Sequence, residues 1–239
     1  TTEIYTLSLH DALPISSHNL SPAAEIGRYI KETTPGAKVV FIGPCAAKKL
    51  EASRRTIRSD VDFVLTFEEV MGMFEAKAIK FSEVAAGPEL VEATADGRGF
   101  AVSGGVANAV VNAIHKMDPD REVKVMAAQG LQECKKMLML AKAGKLNGYL
   151  LEGMACPGGC AGGGGQPICE GCELAGERGG LLYQIDAANP IRFSHENPEV
   201  QRLYQEYLGH PLSERAHHLL HTDHTAWKMP SGVNETGQI

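Results

Sequence analysis

Basic residues, cysteines and long apolar runs are all scarce in this chain of 239 residues. Its 23 Lys and Arg face 29 Asp and Glu, for a net charge of −6. With a pI near 5.9, that balance excludes the basic surface on which nucleic-acid binding depends. No apolar stretch approaches the roughly 18 residues of a membrane-crossing helix, so no membrane partner is expected. Six cysteines are too few for a disulfide scaffold, and four of them crowd between Cys156 and Cys172. Such crowding favours metal ligation in a reducing, cytoplasmic setting over covalent staples. The opening stretch TTEIYTLSLHDALPIS has no initiator Met and no basic leader, so it does not read as a signal peptide.

The chain is organised around EGMACPGGCAGGGGQP, Glu152 to Pro167. Cys156 and Cys160 are separated by three residues, and six of the eight residues from Gly158 to Gly165 are glycine. Thiolates are soft ligands suited to iron–sulfur clusters and zinc. Glycines let backbone N–H groups approach a bulky inorganic group. A flexible linker is also Gly-rich but does not usually carry Met154 and two spaced cysteines. A phosphate loop is excluded because no Lys-Ser/Thr pair follows the glycines. The stretch reads as a buried metal-cluster cradle.

Strands and helices alternate along the rest. Ser21 and Pro22 start a helix with an apolar stripe of Ile26, Tyr29 and Ile30, stopped by Thr34-Pro35-Gly36. Ala37–Ile42, Phe63–Leu65, Phe100–Val102, Val123–Ala127 and Tyr149–Leu151 read as strands. Thr66 and Glu69 form a capping box for a helix through Phe74. Further helices are expected from Val106 to Met117, from Leu131 to about Ala143, and near Pro198–Leu208 and Ser213–Leu220. The pattern between Pro167 and Pro198 is weak. The fold class is therefore α/β, with mostly parallel sheets flanked by helices, an irregular Gly/Cys-rich loop and a helical C-terminal tail.

Ligands of such sheets bind beyond the carboxyl ends of the strands. Gly43-Pro44-Cys45, Ser103-Gly104-Gly105 and Glu152–Cys160 all follow expected strands, which brings Cys45 towards Cys156 and Cys160. Lys48, three residues after Cys45, offers a cation to anionic cluster ligands. Taken alone, Cys45 is as well read as a buried apolar residue and Lys48 as a surface lysine paired with Glu51.

FIGPCAAKKLE and EGMACPGGCAGGGGQP resemble the second and third signature segments of the [FeFe]-hydrogenase catalytic domain. DVDFVLTFEEV, FAVSGGVANAV and SERAHHLLHT are similar to the same family. The resemblance implies a reversible hydrogenase, 2H⁺ + 2e⁻ ⇌ H₂, built on an H-cluster: a [4Fe–4S] cubane joined to a diiron unit with CO, cyanide and a dithiolate. It implies Cys45 and Cys156 as cubane ligands and Cys160 as the thiolate bridging cubane and diiron unit. Lys48 would donate to a cyanide and Met154 would pack beside the diiron unit. Phe100, Ser103, Gly104, Gly158 and Gly159 would line the pocket. Ferredoxin or a ferredoxin-like domain would deliver electrons, and hydrogenase maturation proteins would load the site. The corresponding expectation for the chain is an artefactual or disordered leader at 1–16, a partial catalytic domain at 17–225 and a disordered tail at 226–239.

Three departures stand out. The family's first signature, TSCCP, which supplies a fourth cubane ligand and a proton-relay cysteine, is absent. So are the upstream carboxylates of its proton path, so the chain by itself is expected to be inactive. Gly43 stands where the family usually has Met, which predicts a gap beside the diiron unit. The alternative reading is a non-catalytic relative serving iron–sulfur assembly or hydrogen or redox sensing. Cys169 and Cys172 read equally as ligands of an accessory cluster or zinc and as reduced loop thiols; with Cys156 and Cys160 they would also make a four-cysteine zinc site. Cys134 reads as core, and His217, His218, His221 and His224 as a packing tail.

Overall fold

The structure, a computed structural model, describes residues 17–54, 57, 59–85, 87 and 93–222. The expected leader at 1–16 and tail at 226–239 lie outside the described residues.

Helix α1 (Pro22–Thr33) leads into β1 (Val40–Gly43), α2 (Ala47–Ala52) and β2 (Phe63–Thr66). The two strands pair in parallel, Val40 opposite Phe63 and Gly43 opposite Thr66. Helix α3 (Phe67–Ala76) follows at once. Its start is set by the expected capping box: Glu69 N–H donates to Thr66 Oγ1 at 3.2 Å, and Thr66 N–H to the Glu69 carboxylate at 2.8 Å. After α4 (Ala95–Gly99) and α5 (Gly105–Met117), a second unit repeats the pattern. It consists of β3 (Lys124–Gln129), α6 (Leu131–Lys142) and β4 (Tyr149–Met154), with Lys124 opposite Tyr149 and Gln129 opposite Met154. The chain ends in α7 (Ala175–Ala188), α8 (Pro198–Leu203), a π-turn at Tyr204–Leu208 and α9 (Glu214–Leu220).

Four of the five expected strands are present, in two separate two-stranded parallel sheets. Phe100–Val102 is not a strand. Phe100 is the C-cap of α4, and Ala101 and Val102 turn back on it, their N–H groups bonding to Arg98 and Gly99 oxygens at 3.1 and 3.0 Å. The apolar triplet had the composition of a strand, but the Thr94 side chain, which accepts from Gly97 N–H, starts a helix six residues earlier. Helix α7 was hidden by its glycines, Gly176, Gly179 and Gly180, which blur any apolar stripe. In α1 the buried residues are Ala24 and Gly27, whereas Ile26 of the expected stripe is 50% exposed. Ser21 occupies the N-cap position but makes no side-chain capping bond.

Burial is concentrated in three clusters rather than one. Leu20, Ala24 and Ile57 lie under α1. Ala128, Cys134 and Met137 fill the second βαβ unit, with Cys134 fully buried as expected. Leu208, Ala216 and Leu219 hold the tail together. On the first sheet Val40, Ile42 and Phe63 share one face and remain 46%, 49% and 60% exposed. The tail returns to the start of the described chain: Leu20 N–H donates to Leu220 O at 2.8 Å and Thr222 N–H to His18 O at 2.9 Å. Arg28 reinforces this closure, donating to Leu219 O at 2.6 Å and pairing with Asp60 at 3.1 Å.

Glu25 sits beside this junction, in a crevice shared with Tyr29, Leu203, Tyr207, Leu208 and Leu219. Burial raises its carboxyl to about 7, against a smaller lowering by Arg28. A folded pKa above the ordinary 4.5 means that the folded chain holds the extra proton. The associated stability is therefore present below the ordinary value and is lost as pH rises through about 7. Urea unfolding is expected to show stability falling by on the order of 1 kcal/mol from about pH 5 to pH 8, after allowance for screening. Glu25→Gln is expected to flatten that slope; an unchanged slope would locate the titration elsewhere.

Candidate metal centre

The site forms where the carboxyl ends of the two sheets meet. Strand β1 ends at Gly43 and passes through Pro44 to Cys45, and Lys48 N–H bonds back to Cys45 O at 3.2 Å as α2 begins. A helical turn thus begins just after Cys45 and places Lys48 one turn from the cysteine. The Lys48 ammonium contacts the Glu51 carboxylate, and both side chains are mostly buried. No gap opens at Gly43. A Cβ there would stand 2.8 Å from the Phe41 ring, so the aromatic ring fills the space that a larger residue at this position would need. Sequence spacing did not reveal this, because Phe41 and Gly43 share a face only once the strand is formed.

Strand β4 ends at Met154, whose carbonyl accepts from Gly130 N–H at 2.8 Å. Cys156 follows, and a 3₁₀ turn at Gly159–Gly162 carries Cys160. The turn is pressed against two other backbones. Gly159 has φ +74°, and a Cβ on it would lie 2.6 Å from Ser103 N and 2.9 Å from Ala101 O. Ala161 N–H donates to Ala101 O at 2.9 Å across the same contact. On the other side a Cβ on Gly163 would lie 2.4 Å from Pro44 O, and Gly165 N–H donates to that oxygen at 3.0 Å. Side chains are therefore excluded at both contacts. One loop joins the Cys45 turn, the Phe100–Gly104 turn and the end of β4. Gln166 closes the loop on itself, its side-chain amide donating to Cys160 O at 3.1 Å.

The residue that aligns these parts is Glu152, which lies within the quoted motif but received no role from the sequence. It is buried in β4, and its carboxylate accepts from Gly104 N–H and from Ala107 N–H, each at 2.7 Å. It thereby satisfies two donors at the N-terminus of α5, where a negative charge is stabilised by the helix dipole. An acidic residue inside the apolar run YLLEGM was the available signal.

Cys45, Cys156 and Cys160 are free and partly buried. Burial raises the Cys160 thiol above its ordinary pKa; neighbouring Cys45 and Cys156 raise it further, and Lys48 lowers it. Cys160 thus has Cys45, Cys156 and Lys48 among its neighbours. Among the described residues, no three His, Cys, Asp or Glu side chains close on the position of a single metal ion. Soft thiol donors around a backbone-walled loop suit an iron–sulfur group with several attachment points. Met154 and Ser103 are half-buried at the loop's edges, Phe100 lies on the turn below it, and Gly104 and Gly158 take left-handed conformations.

Other sequence candidates separate from this centre. Cys169 and Cys172 are joined as a disulfide, so neither reduced loop thiols nor a four-cysteine zinc site describes them here. His217 and His221 pack ring edge to ring face at 4.2 Å, and His221 is lowered by burial and by His217 and His18, which fits a packing role. His224 lies outside the described residues.

Comparison with known proteins agrees with this geometry. The family model for the iron only hydrogenase large subunit, C-terminal domain, matches residues 3–164. That for the iron hydrogenase small subunit matches residues 173–227. The chain is 35% identical to the NADP-reducing hydrogenase subunit HndD of Solidesulfovibrio fructosivorans over 77% of its own length and 37% of that protein. It is 31% identical to cytosolic iron-sulfur assembly component 3 of Rattus norvegicus, over 93% of its own length and 56% of that protein. A variant of the [FeFe]-hydrogenase HydA1 from Chlamydomonas reinhardtii superposes with a TM-score of 0.72 at 26% identity, covering 92% of this chain and 73% of that one. The chain thus spans roughly two-fifths to just over half the length of these curated relatives.

The Glu152 clamp makes a direct prediction. Glu152→Ala leaves two amides without their charged acceptor and is expected to cost about 2–4 kcal/mol; Glu152→Gln, which keeps shape and one acceptor, about 1–2 kcal/mol. Urea denaturation measures both. Hydrogen exchange should locate the lost protection at Gly104 and Ala107. A Glu152→Ala cost within about 0.5 kcal/mol of zero would rule the clamp out.

Proposed function

The chain belongs to the iron-only hydrogenase large-subunit family, and from that premise we propose that it holds an H-cluster and serves the reversible reaction 2H⁺ + 2e⁻ ⇌ H₂. The observation that supports the proposal is that Cys160, on a loop after β4 whose backbone contacts exclude side chains, has Cys45 at the end of β1 and Cys156 as neighbours. When bound, the cluster supplies the redox centre at which electrons and protons combine. Cys45, Cys156 and Cys160 would hold the cluster, Cys45 and Cys156 on the [4Fe–4S] cubane and Cys160 on the side of the diiron unit. Lys48, which contacts Glu51 in this structure, would offer its ammonium as a charge-assisted donor to the anionic diatomic ligands. Met154 and Phe100 would exclude water from the diiron side. Ser103, Gly104, Gly158 and Gly159 supply close backbone and hydroxyl contacts. A ferredoxin-type donor brings electrons, and maturation proteins deliver the diiron unit.

A second reading has its own support. The Phe41 ring covers Gly43 at the position where the family usually carries Met. The assembly-component relative also covers more of this chain than the hydrogenase subunit does. On that reading the chain keeps a cubane for iron–sulfur assembly or redox sensing and evolves no hydrogen.

Anaerobic reconstitution separates the two. Cys45→Ser, Cys156→Ser and Cys160→Ser are each expected to lose most of the iron bound by the unsubstituted chain; full iron in Cys45→Ser would overturn the ligand assignment. After treatment with the maturation proteins, infrared bands of CO and cyanide mark a diiron unit, and their absence favours the assembly reading. Lys48→Asn is expected to fold normally and to lose those bands while keeping the cubane. Because this chain contributes three of the family's four cubane cysteines, it is expected by itself to evolve no hydrogen above a cluster-free control.

A further inference from the structure

The Cys169–Cys172 disulfide is a second redox-capable group, independent of the three-cysteine centre. It lies on an exposed turn, with its Cα atoms 5.5 Å apart, in the stretch 165–172 that neither matched segment covers. Both ends of the turn are anchored. Before it, Pro167 O accepts from Arg178 Nη2 at 2.8 Å, and Ile168 N–H donates to Glu68 in α3 at 2.6 Å. After it, α7 begins at Ala175, whose methyl stands 2.7 Å from where a Cβ on Gly158 would be. The first turn of α7 is therefore seated on the loop that carries Cys156 and Cys160. Arg178, one turn further on, donates to Ala161 O at 3.3 Å, beside Cys160. An open cavity of about 260 Å³ lies between turn, loop and helix, lined by Gly164, Gln166, Cys169, Cys172, Glu173 and Arg178.

Between these anchors, Cys169–Cys172 is the covalent restraint on an irregular connection. Closing it removes conformations that would let the start of α7 lift from the loop; opening it restores them. Exposure gives a reductant direct access to sulfur, and two cysteines with two residues between them have the spacing of exchangeable pairs.

We propose that Cys169–Cys172 is a thiol–disulfide exchange site for an external dithiol, and that its state sets how firmly α7 closes on the Cys156–Cys160 loop. One thiolate of the dithiol attacks a sulfur of the pair, breaking the Cys169–Cys172 bond and forming a mixed disulfide. Its second thiolate then displaces the remaining cysteine sulfur. Two electrons and two protons pass to Cys169 and Cys172, and the dithiol leaves as its own disulfide. The proposal does not depend on whether the loop holds a cluster.

The test uses the whole metal-free chain, equilibrated anaerobically in dithiothreitol buffers of graded reduced-to-oxidised ratio, quenched with an alkylating reagent and read by peptide mass. The pair is expected to pass reversibly from disulfide to doubly alkylated dithiol in a single two-electron transition. Amide exchange over residues 158–166, measured in both states, is expected to be severalfold faster in the dithiol form. The Cys169→Ser/Cys172→Ser variant should exchange at that faster rate in every buffer, with circular dichroism confirming that its helices remain. A pair that stays in one state across the series would overturn the exchange site. Equal exchange rates in the two states of the unsubstituted chain would overturn its coupling to the loop, whatever the variant does.

Discussion

The arrangement rests on one constraint: the cysteine loop packs its backbone directly against two other backbones. Gly159 meets Ala101–Ser103 and Gly163 meets Pro44 at separations that no side chain tolerates. The Gly163–Pro44 contact links the loop after β4 to the first βαβ unit, and among the described residues the two sheets share no strand pairing. Glu152 locks the contact on the α5 side by placing both carboxylate oxygens on amides of that helix. With these in place, Cys45 at the end of one sheet is held near Cys160 at the end of the other.

The same constraint explains how a centre can form without a single large core. Among the described residues, buried apolar residues form three small clusters, and large residues such as Val40, Ile42 and Phe63 remain on an exposed sheet face. Parallel sheets are normally covered on both faces. Here directional contacts carry much of the connection between parts: the Glu152 clamp, the Arg28 links to Asp60 and Leu219, and Arg178 between α7 and the loop. Buried charged hydrogen bonds of this kind tolerate little displacement, so they fix geometry as well as hold elements together.

Local chemistry was legible where a residue acts on its sequence neighbours. The Thr66–Glu69 capping box formed as expected, and the helices at Pro22, Leu131 and Ser213 began at or within a residue of their expected starts. Reading failed where a neighbouring element or side-chain conformation overrode local composition, or where the signal was diluted. Phe100–Val102 has strand composition, yet the cap at Thr94 folds it into the end of a helix. The glycines of α7 hid a helix that packing against the cysteine loop stabilises. The expected gap at Gly43 closed because Phe41, two residues away, turns its ring into the same space.

What the sequence by itself determined was the set of donors and the freedom of the loop that carries them: thiols at Cys45, Cys156 and Cys160, a lysine one turn from the first, and a glycine run. Those follow from residue type and short spacing, and with the two signature segments they identify the family. Tertiary structure alone decided which groups meet. It placed Phe41 over Gly43, gave Glu152 to the α5 amides, joined Cys169 to Cys172 and seated α7 on the cysteine loop. For Phe41 and the Cys169–Cys172 pair the reason is side-chain conformation, which short spacing permits but does not fix; for Glu152 it is distance along the chain, since Glu152 lies 45 residues from Ala107 and no local propensity specifies a contact between separately formed elements.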